Sequence, residues 1–219
     1  VPGLVLLRLQ VPDPRKAATA LRRLGFSCNA DGCTVGAVRI VFEGADNHNR
    51  GGDASLVGWD FSADRDELLK LDPRAVPTTR LVASPDELRP VTHPNGVDRF
   101  DHCVVTVPNL DAITAGLDAF AGIPCRRRAE IRGRHAAFLR AGEAVLELIE
   151  DHTVRTPSLW GLCAHTPDLD ATRAVIADKK GSVGPAATAL QGGRIASSPP
   201  EAFFGVAWAF LQSAPRDAG

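Results

Sequence analysis

In a chain of 219 residues, 25 basic and 26 acidic side chains nearly cancel to a formal charge of −1, and no basic face of the size needed to neutralise a run of phosphates appears, so nucleic acid is excluded as an expected partner. The length admits one large domain or two small ones, and with 44% hydrophobic residues a core can form without staples. Five cysteines without an export signal read as reduced thiols, and the apolar start Val1 to Val11, interrupted by Arg8, fits neither a signal peptide nor a membrane span; the expected setting is cytoplasmic, with no membrane partner.

In chain order, Leu4 to Val11 reads as a strand. Asp13-Pro14 supplies a cap followed by proline at the first helical position, and Ala17, Ala18, Leu21 and Leu24 form an apolar stripe up to Gly25. Strands then alternate from Phe26 to Glu43. Cys28 and Cys33 flank Asp31-Gly32, a dipeptide that favours a two-residue hairpin turn, and a zinc clip there lacks a second pair of ligands. After a polar loop over Asn47 to Asp53, expected to be mobile, come a strand at Ser55 to Trp59, a short helix over Asp66 to Leu71 and a strand over Thr78 to Ala83. Ser84 to Gly96, rich in proline and polar residues, reads as a linker.

The second half is regular. A strand over Phe100 to Val107 ends at Pro108, and Asn109 caps a helix whose apolar residues Leu110, Ile113, Leu117 and Phe120 fall three and four apart. Strands over Arg126 to Ile131, His135 to Arg140 and Glu143 to Glu150 follow, with turns at Arg132-Gly133 and Ala141-Gly142. The order β-α-β-β-β then repeats. Leu159 to Thr166 is a strand, Asp168 a cap, a helix runs through Val175 and Ile176 to Gly181, and strands fall at Gly193 to Ser197 and Gly205 to Gln212. Pro108, Leu110, Asp111 and Ala112 return 59 residues later as Pro167, Leu169, Asp170 and Ala171, the mark of a duplicated unit. The expected division is a partial half at 1–90, with modules 1–46 and 55–84, and a complete half at 97–213, with modules 97–151 and 157–213.

Asp101-His102 followed by Val104 to Asp111, the strand Ala144 to Leu148, and Leu159-Trp160-Gly161-Leu162 leading to Pro167-Asp168-Leu169-Asp170 together resemble the vicinal oxygen chelate superfamily, the glyoxalase, bleomycin-resistance and extradiol-dioxygenase group. Gln191 to Ala196 is similar to a segment of its actinobacterial glyoxalase-like members. The resemblance implies an α+β fold in which paired β-α-β-β-β modules build cup-shaped mixed sheets. It also implies that metal-using members take ligands from the first and last strands of each paired module. His102 and Glu147 fall on such positions in one module. Their partners would be Gly161 and Ala209, which carry no donor, and the N-terminal equivalents would be the apolar Leu6 and Ile40. No resident cofactor is therefore the leading expectation, with a divalent metal (zinc, nickel, iron or manganese) as the alternative.

Glu147 lies among Val145, Leu146, Leu148 and Ile149, so its carboxyl needs a partner or a raised pKa. Three readings of His102 and Glu147 stand side by side: two members of a metal site completed by water, His165 or Cys163; a metal-free acid/base or ligand-orienting pair; and a structural remnant. Cys163 and His165 share strand parity with Gly161 and are candidate ligand-binding residues, although His165 reads rather as a solvated residue beside the helix start. Arg126, Arg127, Arg128, Arg132, Arg134 and Arg140 make two strands basic. Trp160 and Trp208 are candidates for lining a pocket or for the core, and Trp208 is counted with the ligand-binding residues. The expected function is binding of a small organic molecule by a monomer or homodimer. A metal-dependent lyase, isomerase or dioxygenase of glyoxalase type is the alternative, and a non-catalytic interaction module the third reading.

Overall fold

A computed structural model describes residues 2–45, 52–72, 76–83, 91–190 and 192–214; most of the polar loop (47–51) and of the linker (84–90) lie outside the described residues. The first half runs β1 (Leu4–Val11), α1 (Pro14–Arg23), β2 (Cys28–Asn29), β3 (Gly32–Val35), β4 (Val38–Gly44), β5 (Ser55–Ser62), β6 (Glu67–Leu68) and β7 (Thr78–Val82). The second runs β8 (Arg99–Val107), α2 (Leu110–Ala121), β9 (Cys125–Ile131), β10 (Arg134–Ala141), β11 (Ala144–Glu150), β12 (Ser158–His165), α3 (Leu169–Asp178), β13 (Ala187–Thr188), β14 (Arg194–Ser197), a 3₁₀ turn at Pro200–Phe203 and β15 (Ala207–Gln212). Each helix starts on an Asx cap whose side chain accepts from backbone N–H groups one turn in: Asp13 from Arg15 and Lys16, Asn109 from Ala112, Asp168 from Asp170 and Ala171. These bonds satisfy donors that a helix start leaves open.

The expected helix over Asp66 to Leu71 is absent. Six residues yield too few intrahelical bonds to offset nucleation, whereas β6 pairs with β7 and the Leu69 amide donates to the Thr79 carbonyl.

Two mixed sheets result, ordered β2-β3-β4-β1-β5-β7-β6 and β13-β14-β15-β12-β8-β11-β10-β9. In each, the first strands of two modules meet antiparallel at the centre, β1 against β5 and β8 against β12. Both central pairs carry the same two bulges. Val5 and Asp101 are the extra residues on β1 and β8, and Val57 and Trp160 on β5 and β12. A bulge re-aims the side chains around it, so its recurrence at matching places is structural evidence of the duplication.

The helix-bearing faces of the two sheets pack together. Phe26 lies 4.7 Å from Trp208 and 5.9 Å from Phe210, and Phe42 lies 6.1 Å from Phe203, ring centroid to centroid. One buried cluster runs from Leu4 to Phe210, so both halves share a core. At their junction Asn95 Nδ2 donates to the Leu24 carbonyl at 2.8 Å, and Gly25, at φ +85, has no room for a Cβ, which would sit 2.6 Å from the Asn95 side chain. With the core between the sheets, the opposite faces turn outward. On the C-terminal sheet that outer face carries a small separate apolar group, Val104, Ala136 and Ile149 backed by Ile131 and Phe138.

Candidate functional site

Strand register places the polar groups of the C-terminal cup. His102 is opposite Cys163 on β12 and beside Val145 on β11, which puts Glu147, two residues along, on the same face as His102. Asp101 should point away by simple alternation. As the extra residue of the β8 bulge it instead joins His102, and its Oδ1 lies 2.6 Å from His102 Nδ1. Asp101, His102 and Cys163 bring a carboxylate oxygen, a ring nitrogen and a sulfur within 4.8 Å of one another. Val104, Phe138 and Ile149 supply apolar walls, and the Arg127 guanidinium sits 5.5 Å from the centre of the Phe138 ring.

The electrostatics follow from this packing. Burial works against the His102 imidazolium, while Cys163 and the bonded Asp101 favour it, and the balance pushes His102 up from 6.5 to about 10. Burial raises the Cys163 thiol as well, with His102 opposing, and Asp101 is the carboxylate hydrogen-bonded to the ring. Burial also lifts Asp101, but its bond to His102 and the nearby charges of His102, Arg99 and His165 outweigh this and keep the carboxyl below the usual range. Glu147 is raised, by burial, with His102 opposing. No hydrogen bond links His102 to Glu147; the imidazole is held by Asp101 instead.

These shifts give folding a pH signature. His102, raised on folding, contributes stability that is complete below 6.5 and lost as pH climbs towards about 10. Glu147, raised too, acts in the same direction, because the unfolded chain gives up that proton first, from 4.5 upward. Asp101, lowered, contributes above 3.8 and loses that contribution as pH falls through its folded value. Through these groups urea midpoints are expected to decline above pH 6.5 as His102 gives up its proton and to fall at low pH as Asp101 takes one up, while His93, lowered by burial, adds a loss as pH drops below 6.5. Glu147→Gln should flatten the start of the alkaline decline and leave the acid limb intact.

The other expected residues fall elsewhere. His165 is not solvated: it is 8% exposed, with Nδ1 2.7 Å from Asp98 Oδ1 and 2.8 Å from Arg99 Nη1, at the end of β12 beyond Cys163. Trp208 does not line the cup. Its neighbours on β15, Ala207 and Ala209, face that side, while the fully buried Trp208 ring packs into the core against Phe26 and Phe203. Trp160, the bulge residue, is 58% exposed. Arg128 turns to the helix side and pairs with Asp111 at 2.8 Å, and Arg134 pairs with Asp151 at 2.9 Å.

In the N-terminal sheet the equivalent floor is closed. Asp60 stands opposite Leu6 as Cys163 stands opposite His102, and Arg8 occupies the place of Val104. Arg8 makes a bidentate ion pair with Asp60 at 2.6 and 2.9 Å, reaching over Gly58, where a Cβ would lie 2.9 Å from Arg8 Nε. That cup is filled by its own side chains.

No protein-family model and no curated protein matches the chain. Solved structures do. A variant of 4-hydroxymandelate synthase from Streptomyces coelicolor aligns over 98% of this chain and 94% of its own with a TM-score of 0.68 at 16% identity. The chain carries the vicinal oxygen chelate fold. A xylose isomerase-like TIM barrel/4-hydroxyphenylpyruvate dioxygenase fusion protein gives the same TM-score of 0.68 at 15% identity, over 99% of this chain and 50% of that one. Methylmalonyl-CoA epimerase from Mycobacterium tuberculosis is 20% identical over 55% of this chain and 91% of its own, with a TM-score of 0.47.

Within the vicinal oxygen chelate fold, the register keeps the expected correspondences of the C-terminal modules and revises one in the N-terminal half. The bulge residues Asp101 and Trp160 correspond, so the counterpart of His102 is Gly161, opposite Val104, while Cys163 is the residue that faces His102 across the pair. Ala207 lies beside Gly161 as Val145 lies beside His102, so the counterpart of Glu147 is Ala209. On β4, Arg39 lies beside Leu6, so the counterpart of Glu147 there is Val41, while Ile40 points into the core. A metal would find His102 and Cys163 facing each other, a nitrogen and sulfur set that zinc and iron accept, with Asp101 able to orient the imidazole; the counterparts Gly161 and Ala209 offer no side-chain donor.

Proposed function

We propose that the C-terminal cup, within residues 97–213, binds a small organic molecule through a carbonyl or carboxylate oxygen without a resident metal. The carrying observation is the 2.6 Å bond from His102 to Asp101. It keeps the imidazole protonated beside a Glu147 carboxyl that burial also pushes towards its protonated form. Two hydrogen-bond donors then share one face of the sheet with the apolar Val104, Phe138 and Ile149, an arrangement that binds an anionic or polarised oxygen and can deliver a proton to it. A panel of small carboxylic and oxo acids, titrated by calorimetry against metal-free protein, tests this reading. Binding that is absent across the panel, or that strengthens as the imidazolium loses its proton at high pH, would count against it.

A second reading has its own observation, the mutual approach of Asp101, His102 and Cys163. In that case the group at the cup floor is a divalent metal site that polarises substrate oxygens. Metal analysis of protein purified without chelator separates the two. Stoichiometric metal that is lost in both His102→Ala and Cys163→Ser would replace the metal-free reading.

A further inference from the structure

Outside the cup, reactive side chains converge on the β2–β3 hairpin. Cys28 and Cys33 are directly opposed across this antiparallel pair, so both thiols emerge on one face. Opposed residues in such a pair have Cα atoms about 4.5–5.5 Å apart, inside the roughly 4.4–6.8 Å that a disulfide spans. The two thiols face each other: the neighbouring Cys33 thiol, ahead of burial, raises the Cys28 pKa, while Cys33 Sγ donates to the Ser27 carbonyl at 3.6 Å. The hairpin holds them in register. Asn29 Oδ1 accepts from the Asp31 and Gly32 amides at 2.9 and 3.1 Å, and β3 is zipped to β4.

The pair opens onto a depression of about 640 Å³ whose lining, among the described residues, holds Arg22, Arg39 and Lys179 and one carboxylate, Asp31. Cys28 is half-buried and Cys33 buried, which sets an order of attack. Cys103 and Cys163, by contrast, are buried in the strands of the C-terminal sheet.

We propose that Cys28 and Cys33 form a reversible dithiol/disulfide couple that exchanges with an anionic low-molecular-weight disulfide of the glutathione class docked in this basic depression. The Cys28 thiolate attacks one sulfur of the small disulfide, whose S–S bond breaks to release one small thiolate, which takes up a proton. The Cys33 thiolate, having lost its proton to water, then attacks the Cys28 sulfur; the protein S–S bond forms and the second small thiol leaves. Two protein thiols are oxidised by two electrons, and the small disulfide is reduced to two thiols. Because the loop closed is very short, the crosslink removes little chain entropy, and both forms stay folded. The high Cys28 pKa makes exchange slow at neutral pH and faster as pH rises.

The experiment equilibrates the full chain with graded ratios of oxidised to reduced glutathione, quenches with an alkylating agent and digests with trypsin. The peptide Leu24 to Arg39 carries both cysteines. It is expected to appear unalkylated and two hydrogens lighter in proportion to the ratio, and to revert when the ratio is reversed. Cys33→Ser should stall as a mixed disulfide on Cys28. Arg22→Ala and Lys179→Ala should slow the reaction with oxidised glutathione severalfold, and leave that with neutral hydroxyethyl disulfide unchanged. Both cysteines still alkylated at the most oxidising ratio, or crosslinked to other cysteines, overturns the couple. Equal slowing with the neutral reagent, or no slowing at all, overturns the anionic docking.

Discussion

His102→Ala is expected to weaken binding of an acid ligand in the cup by about 10- to 100-fold, the worth of a hydrogen bond to a charged group at roughly 1.5–3 kcal/mol. The substitution removes the imidazolium that Asp101 holds at 2.6 Å. Asp101→Asn separates charge from shape. It keeps a polar side chain beside the ring but removes the counter-ion, so the imidazole loses its proton at lower pH and the midpoint of binding against pH should move down, with affinity at acid pH kept. Glu147→Gln keeps an N–H donor where the protonated carboxyl stood, and affinity near neutral pH should change little. Calorimetric titration of the three variants from acid to alkaline pH provides the check. A cup that binds equally well in His102→Ala would return this histidine to a structural role.

Trp208→Ala should cost about 3–5 kcal/mol of stability, the largest loss expected from any single core truncation named above. Its ring is fully buried between Phe26 of the first half and Phe203, so the cavity opens in the core that the two sheets share, and both halves should lose stability in one transition. For a chain of this size that corresponds to roughly 6–20 °C in Tm. Trp208→Phe is the informative companion. Trp208 Nε1 is buried without a hydrogen-bond partner, so removing that N–H relieves an unsatisfied donor and offsets part of the lost volume; the cost should stay under about 1.5 kcal/mol. Urea unfolding followed by far-ultraviolet circular dichroism measures both. Two separate transitions in the wild-type protein would refute the shared core.

Read alone, the sequence determined what local chemistry and periodicity encode: the Asx caps at Asp13, Asn109 and Asp168, the strand and helix order of the second half, the duplication, and the placing of His102 and Glu147 on one face. Each of these depends on residues close together in the chain, where side-chain type sets backbone preference directly. The tertiary structure decided the rest. Asp101 became the partner of His102, and Cys163 was set facing it across the strand pair, because bulges at Asp101 and Trp160 shift a register that alternation alone leaves unchanged. His165 was buried by Asp98 and Arg99, Trp208 was drawn into a core built by the other sheet, and the Asp66 to Leu71 segment was taken up by β7 instead of closing a helical turn. These outcomes turn on contacts between residues tens of positions apart, whose free energies no window of sequence contains.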